Sequence, residues 1–172
     1  MIIREETPEE AAEIRSLVTA AFPEPLEAEL VDQLRAAGDS VISMVAVDGG
    51  QLAGHALLSK MTAPFRALGL GPVCVLPDRQ RAGVGTRLIT ASLDRAAKDG
   101  WEAIFVLGNP KFYRRFGFDQ VAASGFTSPY AGPHFMVLML RGDLAVTMGK
   151  IECAPAFAAL ERDRLRLNNT KA

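Results

Sequence analysis

Seven residues near the middle of the chain, Gln80-Arg81-Ala82-Gly83-Val84-Gly85-Thr86, have the composition of an anion-binding turn. They follow an apolar run ending at Leu76 and open a helical pattern that extends from Gly83 to Asp99. The first turn of a helix carries backbone N–H groups without intrahelical partners and the positive end of the macrodipole, and glycines remove side chains that would hold an anion away. A phosphate or pyrophosphate suits such a concavity, with Arg79, Arg81 and Arg87 close by in sequence to add charge. Two familiar phosphate loops do not fit these letters. There is no Gly-x-x-x-x-Gly-Lys-Ser/Thr, and Gly83-x-Gly85-x-x-Leu88 lacks the third small residue of the dinucleotide fingerprint. Taken alone, the two glycines serve equally well for a tight turn and close helix packing.

A second segment follows about thirty residues on, directly after a short apolar run: Asn109-Pro110-Lys111-Phe112-Tyr113-Arg114-Arg115-Phe116-Gly117-Phe118. With both segments in view, the sequence resembles the GNAT superfamily of N-acetyltransferases. Members carry Gln/Arg-x-x-Gly-x-Gly/Ala at a helix start after the fourth strand, and an aromatic-Tyr-x-x-x-Gly-Phe segment on a short helix after the fifth. Leu70-Gly71-Pro72-Val73-Cys74-Val75-Leu76-Pro77 is similar to that family's fourth strand, and the Pro-x-Phe-Tyr-Arg-Arg-Phe-Gly-Phe form resembles its bacterial YhbS-type branch. The resemblance is strongest from about Leu68 to Phe118.

The resemblance implies that the backbone of Gln80, Arg81, Ala82, Gly83, Val84, Gly85 and Thr86 binds the pyrophosphate of acetyl-CoA. It implies a fourth strand splayed from the fifth at a bulge, with Val73 and Val75 pairing with the pantetheine arm. An N–H of the Cys74–Val75 region would then polarise the thioester oxygen. Asn109 matches a pantetheine-contacting position, Phe112 flanks the same cleft, and Tyr113 matches the tyrosine that protonates the departing thiolate. A base for the amine is not marked. Leu68-Gly69-Leu70-Gly71-Pro72-Val73 contains no Asp or Glu, which leaves Glu24, Glu27, Glu29, His134 or a carboxylate acting through water. The implied activity is direct acetyl transfer from acetyl-CoA to the amine of a small molecule or peptide; the alternative is a non-catalytic acyl-CoA-binding or regulatory module. Cys74 reads as a small buried hydrophobe in an apolar strand rather than a nucleophile. His55 and His134 have no metal-ligand spacing, so no metal is expected.

The elements that must position these residues follow from periodicity. Met1–Arg4 reads as a strand, and Thr7-Pro8-Glu9-Glu10 combines an N-cap hydroxyl, an early proline and a capping-box glutamate that predict a helix from Pro8. Pro23 and Pro25 interrupt it before a second helical pattern that stops at Gly38. Val41–Val47 and Gln51–Met61 flank the turn signal Asp48-Gly49-Gly50 as a hairpin. Leu68–Leu76 and Ala103–Leu107 read as strands around the Gly83–Asp99 helix, Pro110–Phe116 as a short helix, and Phe135–Leu140 as a late strand. The expected fold is a mixed α/β domain of the α+β type, GNAT-like, with a mostly antiparallel central sheet and helices on both faces. One domain over residues 1–172 is expected, its core about 1–142, and residues 143–172 form an extension to which the sequence assigns no role.

Composition bounds the partners. The 172 residues are 49% apolar and 23% charged, enough for one sizeable core, and the net charge of −1 argues against nucleic acid as the main partner. The acidic start Met1-Ile2-Ile3-Arg4-Glu5-Glu6 does not read as a secretory signal, and the longest uncharged stretch, Gln120–Leu140, is broken by glycines and prolines. No membrane span is expected. Two cysteines far apart fit a reducing, cytoplasmic setting. An edge strand could pair two copies into a homodimer.

Overall fold

Strand β1 (Ile2–Glu5) leads into a single 3-10 turn, Pro8–Glu10, and then helix α1 (Ala11–Ala21). The regular helix thus begins three residues after the proline expected to start it. The Glu10 carboxylate accepts the Thr7 N–H at 2.8 Å and pairs with Arg4 at 2.6 Å, which ties β1 to the helix start. α1 buries Ile14, Leu17 and Val18, one face at helical spacing, and ends before Pro23. Helix α2 (Leu26–Ala36) buries Leu26, Ala28, Leu30, Val31 and Leu34. The computed structural model describes residues 1–142 and 146–170.

Strands β2 (Ser40–Asp48) and β3 (Gln51–Thr62) form the hairpin, turning through Gly49 and Gly50 at φ +58° and +83°, conformations that glycine adopts at little cost. β4 (Ala67–Val75) lies antiparallel to β3. Helix α3 (Val84–Lys98) then crosses to β5 (Ala103–Leu107), which pairs with β4 in parallel. After the short helices α4 (Pro110–Tyr113) and α5 (Gln120–Ala123) and strand β6 (Phe126–Thr127), β7 (Phe135–Met139) returns antiparallel to β5. The main sheet runs β1-β2-β3-β4-β5-β7. The chain closes with β8 (Gly149–Lys150) paired to β6, β9 (Glu152–Cys153) paired to the end of β3, and helix α6 (Ala156–Thr170).

Helices cover both faces of the sheet. α3 packs Leu88, Ile89 and Ala96 against Ile42, Met44, Leu58, Leu68 and Ile104. On the other face, α1 and α2 pack Ile14, Val18 and Leu34 against Val45 and Leu57, with Phe157 and Leu160 of α6 joining the rim of that layer. Beside them an aromatic cluster stacks Phe105 on Phe135 at 5.5 Å and sets Phe126 edge-on to Phe105 at 5.4 Å. The residues assigned no role at the sequence level therefore include a helix packed against α2.

The feature that shapes the molecule lies in β4. Its register with β3 slips by one residue between the pairs Leu58–Leu70 and Ala56–Val73, so Gly71 and Pro72 form a bulge. The slip reverses side-chain parity: Leu68 and Leu70 point into the α3 core, and so do Val73 and Val75. Pairing between β4 and β5 stops at Leu70–Val106, while β4 continues to Val75. The sheet opens between its fourth and fifth strands, as expected.

Candidate active site

The shape of the loop entering α3 is set by its own backbone. Arg81 at φ +63° and Gly83 at φ +80° both adopt the left-handed conformation, which is costly for arginine and easy for glycine. The first helical bond runs from the Arg87 N–H to the Gly83 carbonyl at 3.1 Å, so the N–H groups of Val84, Gly85 and Thr86 precede the ladder. No acidic residue occupies the first turn of α3. Gly54 on β3 lets this end of the helix approach closely, because a Cβ there would lie 2.9 Å from both the Leu88 side chain and the Cys74 carbonyl. The Gln80 amide donates to the Val75 carbonyl at 3.2 Å and pins the loop to the end of β4.

This loop opens onto a cleft of about 610 Å³ that runs along the exposed side of β4 toward α4. Val73, Cys74, Val75, Gln80, Arg81, Gly83, Val84, Gly85, Thr86, Phe112 and Tyr113 all line it. Two expected residues do not. Ala82 is exposed at the turn, and Asn109 caps α4, its side-chain oxygen accepting the Lys111 N–H at 3.0 Å. Arg115 is an addition: it lines the cleft, donates to the Thr86 hydroxyl at 3.0 Å and lies 4.0 Å above the Phe112 ring. Arg79 also lines the cleft while pairing with Asp48 at 3.2 Å, whereas Arg87 bonds to the Met1 carbonyl at 3.2 Å.

Alternation along β4 decides which backbone groups face the gap. The Leu76 N–H donates to Ala53 of β3 at 3.0 Å, so Cys74 also turns its main chain toward β3, and Val73 and Val75 turn theirs toward the opening. The Cys74 side chain is buried in the α1–α2 layer, and that burial pushes its thiol up to about 12. A thiol so protonated at neutral pH is no nucleophile.

Tyr113 stands where the two strands diverge. Its ring sits edge-on to Phe112 at 5.0 Å and to Phe118 at 5.8 Å. Gly108 makes room for it, since a Cβ at that position would fall 2.9 Å from the Tyr113 Cδ2 atom and closer still to Cε2. Burial raises the Tyr113 hydroxyl above its ordinary value of 10, which keeps it a proton donor at any neutral pH.

A second cleft, of about 300 Å³, reaches the same point from the opposite side of the opening. The two share Phe22, Val73 and Tyr113. Gly69, Leu70, Phe105, Val106, Tyr130 and Phe135 line the second cleft, as do Phe157, Leu160, Glu161 and Arg164 of α6. These α6 residues were not singled out from sequence; the available signal was the helical spacing of Phe157, Leu160 and Arg164. Of the four candidate bases, Glu27 lines this cleft, paired with Arg164. The His134 ring lies 3.2 Å from the Gly108 carbonyl in an exposed position. Among the described residues, no group of three His, Cys, Asp or Glu side chains is arranged to hold a metal, and no helix is long and apolar enough to cross a membrane.

A sheet opened beside a bulge, with a helix N-terminus at one end of the gap and a half-buried tyrosine at the other, defines an acyltransferase-type architecture. The chain belongs to the acetyltransferase (GNAT) family, whose model matches residues 11–118. It is 31% identical over 159 residues to the uncharacterized N-acetyltransferase YjhQ of Escherichia coli strain K12, covering 84% of this chain and 87% of that protein. It is 33% identical over 126 residues to YhbS of the same organism, covering 71% and 75% respectively. Among solved structures, E. coli YhbS in complex with CoA superposes with a TM-score of 0.86 at 30% identity, over 91% of both chains. A GNAT acetyltransferase from Brucella melitensis in complex with acetyl-CoA gives 0.77 at 35% identity, over 91% of this chain and 97% of that one.

Proposed function

We propose that the protein transfers the acetyl group of acetyl-CoA to a primary amine by direct attack. The observation that carries this reading is the junction of the two clefts at Val73 and Tyr113, which gives a thioester and an amine one meeting point from opposite faces of the sheet. The first cleft fits the nucleotide donor. Three N–H groups at the start of α3 receive the pyrophosphate, with Arg81 and Arg115 adding charge at the rim. Val73 and Val75 hold the pantetheine arm as an extra strand partner, and the main-chain N–H of Val75, which faces the opening where that of Cys74 does not, polarises the thioester oxygen.

The reaction forms an amide C–N bond, breaks the thioester C–S bond and releases CoA thiol. Tyr113 donates a hydrogen bond to the departing sulfur. Complete proton transfer from a tyrosine above 10 to the conjugate base of a thiol near 8.5 runs uphill, so the hydroxyl contributes mainly by stabilising the thiolate as it forms. β4 carries no carboxylate, and Glu27 is held by Arg164. In this reading the amine gives up its proton to water in the open cleft before attack. We place the enzyme in the cytoplasm, in keeping with two free cysteines.

Initial rates of thiol release from acetyl-CoA across a panel of amines test this reading. Turnover that requires an amine supports it. Acetyl-CoA binding without turnover on any amine would favour the second reading, a non-catalytic acyl-CoA-binding module, for which the absence of an acid on Leu68–Val73 is the specific observation.

A further inference from the structure

We infer that the acceptor is a primary amine on an uncharged aromatic body, an arylalkylamine, and that α6 selects it; this rests on the acetyltransferase reading above. The acceptor-side cleft is walled by aromatic rings from five separate parts of the chain: Phe22 after α1, Phe105 on β5, Tyr130 in the connection to β7, Phe135 on β7, and Phe157 on α6. Phe105 and Phe135 are stacked on each other with their planes 14° apart and are almost fully buried, so they back the wall, and the half-buried rings of Phe22, Tyr130 and Phe157 give the cleft its apolar surface. An acceptor rich in hydroxyl or amide groups would leave those groups without partners against such walls, a mismatch that commonly lowers binding by a factor of about 10 to 100 for each buried polar group.

The charged groups of the cleft belong to the two packed helices α2 and α6. The Arg164 guanidinium pairs with Glu27 through Nη2 and lies 3.9 Å from Glu161 through Nη1. Two carboxylates against one guanidinium leave a net charge of −1, which draws a single ammonium group toward the cleft and repels an acceptor bearing a carboxylate. One cation and one apolar ring system satisfy both features together. A polyamine satisfies only the charge, and a simple alcohol only the apolar surface.

α6 supplies Phe157 and Leu160 to the apolar wall and Glu161 and Arg164 to the charged rim, at spacings of three, one and three residues along one helix. Its hold on α2 through the Glu27–Arg164 pair makes the acceptor cleft depend on this helix, while the donor cleft along β4 and α3 includes none of its residues. Changes in α6 therefore act on the acceptor and spare the donor.

The test measures thiol release by the full-length protein at saturating acetyl-CoA with 2-phenylethylamine, spermidine, an aminoglycoside and a lysine-containing peptide. Acetyl-CoA binding is measured in parallel by calorimetry. The expected result is a kcat/KM for 2-phenylethylamine at least 100-fold above the other three. Phe157→Ala should raise the KM for 2-phenylethylamine about 10- to 100-fold and change the KM for acetyl-CoA by less than twofold. Leu160→Ala serves as a second variant should Phe157→Ala fail to fold. Preference for the polyamine, aminoglycoside or peptide overturns the acceptor class and leaves the acetyltransferase reading standing. An unchanged amine KM in a folded α6 variant overturns the selecting role of the helix. Acetyl-CoA binding with no turnover on any amine overturns the acetyltransferase reading, and this inference with it.

Discussion

Gly108→Ala offers a way to move Tyr113 without altering it. The added Cβ would fall within 2.9 Å of the ring at Cδ2 and 3.4 Å at Cζ, so the ring must shift away from the junction of the clefts. A displacement on the order of 1 Å in a positioned catalytic group costs about 100-fold. Deleting only the hydroxyl, as in Tyr113→Phe, removes one hydrogen bond to a developing thiolate, worth roughly 1.5–3 kcal/mol, or about 10- to 150-fold in kcat. Gly108→Ala should therefore lower kcat about 100-fold and destabilise the fold by about 1–3 kcal/mol as the ring is displaced, with the KM for acetyl-CoA close to wild type, because the α3 loop does not touch Gly108. Steady-state thiol release measures all three variants, including the double substitution. Since both changes act through the same hydroxyl, the double variant should be little worse than the worse single one. A kcat for Gly108→Ala within twofold of wild type, or losses that multiply in the double variant, would refute the placement of Tyr113 at the reaction centre.

Gly54→Ala should destabilise the fold by about 1–3 kcal/mol and weaken acetyl-CoA binding together, since it pushes Leu88 and the start of α3 off the sheet; thermal unfolding with and without ligand reads both effects. Glu6 provides a pH-dependent contribution at the other end of the sheet. Burial alone would raise its carboxyl, but the His55 ring 3.7 Å away and hydrogen bonds from Ser43 and Arg35 outweigh that and hold it at about 2, against 4.5 when unfolded. A carboxyl depressed in this way stabilises the fold above pH 4.5, by as much as about 3 kcal/mol, and loses that contribution as pH falls from 4.5 through 2. Acid unfolding of Glu6→Gln should lack this component, and an unchanged pH dependence in the variant would contradict the assignment. If the amine loses its proton to water before attack, kcat/KM should rise about tenfold per pH unit between pH 7 and 9, since an alkylammonium titrates near 10.4. A plateau near neutrality would instead point to a protein base.

The cleft proposed for the donor was legible in the sequence because its parts are local. An anion cradle built from a helix start needs only the seven residues Gln80–Thr86, and eleven of the thirteen residues singled out line one cleft. Asn109 departs because the same side chain that could reach a ligand is also the best available cap for α4. The acceptor half was not legible because it is assembled across distance. Phe22, Phe105, Phe135 and Phe157 lie far apart in sequence with no spacing that links them, and only the fold gathers them. Helix α6 hid its apolar face within Leu160-Glu161-Arg162-Asp163-Arg164, where charges dilute the pattern, and the two-residue strands β8 and β9 are too short to show any periodicity. The Glu6–Ser43–His55 contact likewise depends on pairing β1 and β3 to β2 and leaves no local trace.

The central claim, that the loop entering α3 binds the pyrophosphate of acetyl-CoA, is tested most directly by thermal unfolding of the wild type beside a Gly83→Asp, Gly85→Asp double variant. The space around a Gly83 Cβ is open, though its φ of +80° strains any side chain there, and a Gly85 Cβ would lie 3.6 Å from the Val75 side chain, so the comparison is made on variant protein shown to be folded. Acetyl-CoA at about 100 times its dissociation constant adds about 2.7 kcal/mol, a rise of roughly 5–11 °C for a chain of this size. The account predicts that rise in the wild type and its loss in the folded variant, whose carboxylates repel the pyrophosphate. No rise in the wild type at saturating acetyl-CoA, or an equal rise in both proteins, would contradict it.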